Sequence, residues 1–190
     1  MKNNRIKIVI ISVFAVAASL MTQPSLAFYS TSSIATNVVT AGDINVKIFE
    51  KTSGNKDFPQ DGVYIMPGSI VSKIVTVKNT GSHPCWLRVK ISDQNGRSDI
   101  LQDVFSIDLN YIDWIDGGDG YYYYSQILRP GRSTEKLFSQ VKVAGNSAAV
   151  KPESVFELNV IAFAVQSEHN DAVSPLSVAG WPAEESRETA

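Results

Sequence analysis

The feature that most constrains the fold is a strict alternation of apolar and polar side chains over residues 85–91. Cys85, Leu87, Val89 and Ile91 fall on one face of an extended chain, and the residues between them fall on the other. Other strand-like runs lie between turn signals, at residues 42–48, 70–78, 107–115, 121–128, 133–143 and 154–166. This pattern predicts an all-β, jelly-roll-like antiparallel β-sandwich of about eight strands with at most one or two short helices.

Two local patterns refine this prediction. Residues 70–78 and 85–91 flank the Asn-Thr-Gly turn at residues 79–81, which predicts that the two strands are antiparallel neighbours. Ser98 is a suitable helix cap, and the apolar residues after it have helical spacing. A short helix is therefore predicted over residues 98–105.

The last strand-like run, residues 154–166, is the most apolar segment after residue 28. One of its faces carries Phe156, Leu158, Val160, Ala162 and Ala164. Ile161, Phe163 and Val165 lie on the other face. The second half of this strand is therefore predicted to be buried on both sides.

Residues 1–27 have the pattern of a secretory signal peptide. A basic start is followed by an uncharged apolar run that is shorter than the ~20 residues needed to span a bilayer. Ser25 and Ala27 are the small residues that a signal peptidase requires, which predicts cleavage between Ala27 and Phe28. The mature domain is expected outside the cytoplasm, secreted to the cell surface or extracellular matrix, with no stable membrane span after cleavage. The predicted divisions of the mature chain are an N-terminal strand at 28–42, a sandwich at 43–168 and a polar C-terminal tail at 169–190.

The composition excludes wholesale disorder and several kinds of site. Hydrophobic residues make up 44% of the 190 residues, which is ordinary for a globular domain. The formal net charge is −2, whereas a non-specific nucleic-acid binder has a basic surplus, so no nucleic-acid partner is expected. Cys85 is the single cysteine, and His83 and His169 are the two histidines. An intramolecular disulfide cannot form, and a metal site built from several His or Cys side chains is not expected.

No catalytic motif is present. The sequence contains no His-Glu-x-x-His, no Gly-x-Ser-x-Gly and no phosphate-binding glycine loop. No catalytic residue and no resident cofactor are therefore predicted. Asp113, Asp116 and Asp119 are the weak candidates for a metal site, because closely spaced carboxylates can hold calcium. The favoured interpretation is a hairpin turn that uses Asp and Gly for backbone reasons.

Residues 121–124 are four consecutive tyrosines, and alternate members of the run face opposite sides of a strand. In one interpretation, Tyr122, Tyr124 or Trp114 stacks on sugars and the chain is a carbohydrate-binding β-sandwich module. The favoured interpretation places two tyrosines in the core and two on the surface.

The N-terminal segment of the mature chain, residues 28–42, has no charged side chain and is rich in Ser, Thr and Val. Such a segment can pair with its own sheet, or it can be donated to the open sheet edge of a neighbouring subunit. Head-to-tail donation does not close on itself and builds a fibre. If the segment is donated, the residues expected to mediate polymerisation are Phe28, Tyr29, Ile34, Val38 and Val39.

Several motifs occur in order along the mature chain. They are Ala27-Phe28-Tyr29 with residues 37–44, the turns and strands of residues 66–81 and 86–91, the Tyr run and Leu-Arg-Pro-Gly turn of residues 120–131, residues 156–166, and finally Trp181. This ordered set resembles the TasA and camelysin group of secreted Gram-positive proteins, whose members are exported with a SipW-type signal peptide.

The resemblance implies a jelly-roll sandwich that assembles into extracellular biofilm-matrix fibres by donor-strand complementation. The donated segment would be residues 28–40 by position. The implied partners are further copies of the chain, other matrix fibre subunits and a dedicated signal peptidase during export. The group also includes members classed as metallopeptidases, so a camelysin-like surface metallopeptidase is the alternative function that the resemblance implies.

Overall fold

In the computed structural model, the described residues are 28–30, 38–41, 44–60, 63–93, 98, 104–145, 158–168, 170 and 172–183. Within them the chain forms eleven strands and one short 3-10 helix. The strands are β1 (Phe28–Ser30), β2 (Val38–Ala41), β3 (Val46–Lys51), β4 (Val63–Ile65), β5 (Ile70–Asn79), β6 (Cys85–Ser92), β7 (Phe105–Ile107), β8 (Trp114–Asp116), β9 (Tyr121–Tyr124), β10 (Phe138–Val143) and β11 (Asn159–Gln166). The 3-10 helix is Pro175–Ser177.

Two sheets form the body of the molecule. The first sheet has the order β3-β5-β10-β7, and the second has the order β2-β11-β6-β9-β8. Every pair in both sheets is antiparallel except β2 with β11. Without β2, eight strands therefore form two antiparallel four-stranded sheets, which confirms the predicted all-β sandwich. Along these eight strands the chain changes sheet at five connections, as in jelly-roll-like folds.

The core lies between the two sheets and is built from alternate residues of each strand. Cys85, Leu87, Val89 and Ile91 of β6 are all buried there, as the alternation predicted. The first sheet contributes Val46, Ile48, Val75, Val77, Phe138, Val141 and Val143 to the same core. Period-two burial of this kind fixes the register, because a slip of one residue would turn every apolar side chain toward water.

The prediction that β5 and β6 are antiparallel neighbours is wrong, because they lie in different sheets. The buried Asn79 side chain directs the connection: its Nδ2 donates to the carbonyl oxygens of His83 at 2.8 Å and Leu128 at 2.9 Å. The backbone of Gly81 lies close to the residues that precede β3. A Cβ atom at position 81 would lie 2.7 Å from the backbone nitrogen of Asn45. The turn therefore carries the chain across the sandwich instead of back along one sheet.

The predicted short helix over residues 98–105 falls mostly outside the described residues. At its C-terminal end, Val104 is helical, and Phe105 begins strand β7, which pairs with β10. The hydroxyl of Ser98 donates to the carbonyl oxygen of Ile91 at 2.9 Å.

Strand β11 is buried on both sides, as predicted from its sequence. Val160, Ala162 and Ala164 face the core, whereas Phe163 and Val165 face outward and are also buried. A segment of the predicted C-terminal tail covers part of this outward face. In that segment, residues 172–183, Val178 packs against Val165 and Trp86, with Ala172 and Trp181 around them.

Among the described residues, no helix combines the length and the apolar character needed to cross a membrane.

Candidate functional site

Strand β2 occupies one edge of the second sheet, beside β11. The two strands run parallel, and Val38, Val39, Thr40 and Ala41 pair with residues 162–165 in register. On its other side β11 pairs with β6 over all eight of its residues. Strand β2 therefore occupies one backbone edge of β11, and the other edge of β11 is fully paired with β6.

Strand β1 is attached at a different place. It pairs antiparallel with β4, with Phe28 opposite Ile65 and Ser30 opposite Val63. These two strands form a separate two-stranded ribbon. Ile65 anchors the ribbon, because its side chain is buried in the main core.

The body of the sandwich closes without the N-terminal segment. Eight strands other than β1 and β2 form both four-stranded sheets, and the described core residues lie between these sheets. The N-terminal segment contributes pairs of only three and four residues at strand edges. An isolated two-stranded pairing such as that of β1 with β4 is marginal by itself in water.

The predicted polymerisation residues fall on these two strands. Phe28 and Tyr29 lie in β1, and Val38 and Val39 lie in β2. Ile34 lies outside the described residues, as does Ala27 on the signal side of the predicted cleavage site. The structure thus separates the segment into two paired pieces, a division that the uniform composition of residues 28–42 did not reveal.

The three candidate calcium ligands are used in separate local hydrogen bonds. Asp113 Oδ2 accepts from Asn110 Nδ2 at 2.9 Å, Asp116 accepts from a backbone N–H within the turn, and Asp119 Oδ2 accepts from the Tyr123 hydroxyl at 2.7 Å. Within the described part of the chain, no three His, Cys, Asp or Glu side chains form a group that could hold a metal ion. The arrangement is that of a glycine turn held by Asp side chains.

Glycine is required in this turn by close packing. A Cβ atom on Gly117 would lie 2.5 Å from the Tyr123 ring and 2.6 Å from Asp119 Oδ1. The turn is thereby packed against the outward face of β9, and it holds the Tyr123 hydroxyl in place.

The aromatic residues proposed for sugar stacking face inward. Trp114 is 1% exposed and Tyr124 is 6% exposed, and their rings pack against each other with centroids 5.1 Å apart. Tyr122 also packs against the main core. Trp114 and Tyr124 are therefore closed to a sugar, and the alternative interpretation as a stacking surface does not hold for these two residues.

Cys85 is buried in the core, where burial raises the pKa of its thiol to about 12. The thiol is therefore neutral at physiological pH and is shielded from a second subunit. His83 lies at the surface, with Nδ1 3.0 Å from Glu168 Oε2. His169 lies outside the described residues.

Sequence reasoning missed a cluster of aromatic rings around Arg88 on the outer face of the second sheet. Tyr121, Tyr123, Phe163 and Trp181 surround this side chain. The one signal in the sequence was the polar face of β6, where the alternation placed Arg88 outward. The contribution of Trp181 was not foreseeable, because the segment around it looked like a polar tail.

Comparisons of this chain with family models, with curated proteins and with solved structures gave no match.

Proposed function

We propose that this chain is a secreted structural protein that polymerises into extracellular matrix or surface fibres by donating its N-terminal strand to the next subunit. The observation that carries the proposal is the position of β2, which pairs in parallel over four residues at the edge of a sandwich that closes without it. The role is built on backbone pairing and burial, and it requires no catalytic step and no cofactor.

A donated β2 strand and the chain's own β2 strand make equivalent pairings at the edge of β11. A β2 strand from another copy can form the same backbone hydrogen bonds with β11 as the chain's own β2 does. Exchange therefore loses no pairing at the acceptor edge. Because a donated strand leaves its own subunit's edge open, each addition creates the next acceptor site and the chain of subunits grows head to tail.

The connection between β2 and the body favours such an exchange. Only four residues, 42–45, separate the end of β2 from the start of β3. A short hinge of this kind favours exchange of an element between copies, as in domain swapping. The second attachment, between β1 and β4, has three residue pairs and would have to open as well.

The sequence resemblance to the TasA and camelysin group supports the same proposal. On that basis the partners are further copies of this chain and other matrix fibre subunits, and the signal peptide at residues 1–27 directs export. Among the described residues, no group of His, Cys, Asp or Glu side chains is placed to hold a metal ion for the metallopeptidase function found in that group.

The experiment compares two purified chains by negative-stain electron microscopy and analytical ultracentrifugation. One begins at Phe28 and the other at Asp43. The proposal expects fibres from the first chain and folded monomers from the second, with a circular dichroism spectrum typical of β-sheet for both. Monomers from both chains at every concentration tested would overturn it.

A substitution makes the comparison sharper. Val39→Pro removes one backbone donor from β2 and restricts the preceding residue, so pairing with β11 should weaken. Val39→Thr keeps the backbone donor and the β-branched shape, and it serves as the matched control. The proposal expects shorter or fewer fibres for Val39→Pro and wild-type fibres for Val39→Thr.

A further inference from the structure

Arg88 lies at the centre of the outer face of the second sheet, on β6. Its guanidinium carbon is 3.8 Å from the ring centroid of Tyr121, 4.8 Å from that of Trp181 and 5.3 Å from that of Phe163. Three rings from β9, β11 and the C-terminal segment therefore hold one cation. Rings at these distances attract the guanidinium and restrict its orientation.

The hydrogen-bonding capacity of Arg88 is mostly unused. Its Nη1 donates to the Tyr123 hydroxyl over a long 3.4 Å, and that hydroxyl itself donates to Asp119 Oδ2 at 2.7 Å. Arg88 Nε is buried without a hydrogen-bond partner. None of the ion pairs found among the described residues includes Arg88.

A second donor on the same face also lacks an acceptor. Trp86 lies two residues before Arg88 on β6 and is only 7% exposed. Its Nε1 is buried without a hydrogen-bond partner. Buried N–H groups without acceptors are uncommon and cost free energy in the folded protein. This face therefore carries a positive charge, and the N–H groups beneath it lack acceptors.

We propose that Arg88 and the rings around it form a binding site for an acidic polysaccharide, in which the guanidinium receives the carboxylate of a uronic acid residue. A carboxylate matches the planar guanidinium in a two-bond contact. The half-buried rings of Tyr121 and Trp181 flank the cation and supply apolar surface for the C–H face of the sugar. The Tyr123 hydroxyl, which donates to Asp119, accepts from Arg88 Nη1 and so orients the guanidinium.

The proposed Arg88 site is separate from the edge of β11 that β2 occupies. Arg88 pairs with Phe163 of β11 on one side and with Tyr123 of β9 on the other, in the interior of the sheet. Its ligand contacts use side chains on the outer face, whereas β2 uses the backbone edge of β11. Binding of the polysaccharide and strand donation can therefore be tested independently.

The experiment uses the chain that begins at Phe28 and measures its binding to a polygalacturonate oligomer by isothermal titration calorimetry. The methyl-esterified form of the same oligomer is the ligand control, because it keeps the sugar and removes the charge. Arg88→Gln is expected to weaken binding about tenfold or more, since it removes the charge-assisted contact. Arg132→Gln, which makes the same change of charge at an exposed loop residue, is expected to bind like the wild type.

Arg88→Lys keeps the charge but cannot form the two-bond contact, and it provides a second test if Arg88→Gln fails to fold. It is also expected to bind more weakly than the wild type. Three results would overturn the proposal: no binding by the wild type, equal binding of the esterified oligomer, or unchanged binding by both Arg88 variants. Tighter Arg88-dependent binding of poly-glutamate than of polygalacturonate would also overturn it, by assigning the site to an acidic peptide.

Discussion

Lys73 and Glu50 form an ion pair on the inner face of the first sheet, with Nζ 3.0 Å from Oε1. Both side chains are largely buried, and Nζ also lies 4.9 Å from the centroid of the Phe58 ring. Burial lowers the pKa of Lys73, and the charge of Glu50 raises it in part. A small cavity of about 30 Å³, lined mostly by apolar side chains and by Lys73, lies beside the pair.

Replacing one member of this pair should destabilise the protein more than replacing both. Lys73→Met leaves the Glu50 carboxylate without its counter-charge, and we expect the free energy of unfolding to fall by about 3 kcal/mol. The double variant Lys73→Met/Glu50→Leu removes both charges from the same apolar surroundings and should recover most of that loss. Urea denaturation measures both, with Lys142→Met as the control at an exposed position of the same sheet. Equal losses in the single and double variants would contradict this account of the pair.

The Asn79 side chain should be a second large contributor to stability, because it ties together the turn that carries the chain between the sheets. Its carboxamide donates to two carbonyl oxygens and accepts from the backbone N–H of Gly81 at 2.9 Å. Asn79→Ala leaves these buried groups without partners, for an expected loss of about 3 kcal/mol in thermal or chemical unfolding. Asn45→Ala changes an exposed side chain of the same type and should cost less than about 0.5 kcal/mol. A small effect of Asn79→Ala would show that the turn is fixed by other contacts.

Asp108 should make stability depend on pH in the acid range. Burial raises the pKa of this carboxyl, but hydrogen bonds from Ser139 and from the backbone N–H of Gln140 outweigh that effect and hold the pKa below its ordinary value of 3.8. The folded state therefore favours the ionised form. The resulting stabilisation is present above about pH 4 and is lost as the pH falls through the folded-state pKa.

The test is the unfolding free energy of Asp108→Asn as a function of pH. Because the carboxyl is mostly exposed, we expect a loss of only about 1 kcal/mol at pH 7. The difference from the wild type should shrink as the pH falls below 3.8. A difference that is constant from pH 7 to pH 3 would mean that ionisation of Asp108 does not matter for the fold.

The strands themselves were predictable from the sequence because burial of one strand face imposes a period of two. The alternation from Cys85 to Ile91 and the two apolar faces of β11 are examples, and both are confirmed. The pairing of the strands was harder to predict from the sequence. The turn after Asn79 is compatible with a hairpin and with a crossing to the other sheet, and long-range hydrogen bonds such as that from Asn79 to Leu128 decide between them.

The surface around Arg88 was not predictable for a related reason. The sequence placed Arg88 outward, but the rings that hold it come from strands about 30 and 75 residues away and from Trp181 in an apparently polar segment. Likewise, the composition of residues 28–42 indicated a strand-forming segment without specifying its partner. The parallel pairing of β2 with β11 depends on the order of the assembled sheet.

The most direct test of strand donation uses two single-cysteine variants that can form a disulfide only between different chains. In a Cys85→Ala background, one chain carries Thr40→Cys in β2 and the other carries Ala164→Cys in β11, since these two positions are in register. The chains are mixed under assembly conditions, oxidised and separated on a non-reducing gel. The account predicts a covalent dimer of the two variants that is absent when the Thr40→Cys chain is oxidised with a chain lacking Ala164→Cys. Failure to form that dimer while fibres are present would contradict strand donation at the β11 edge.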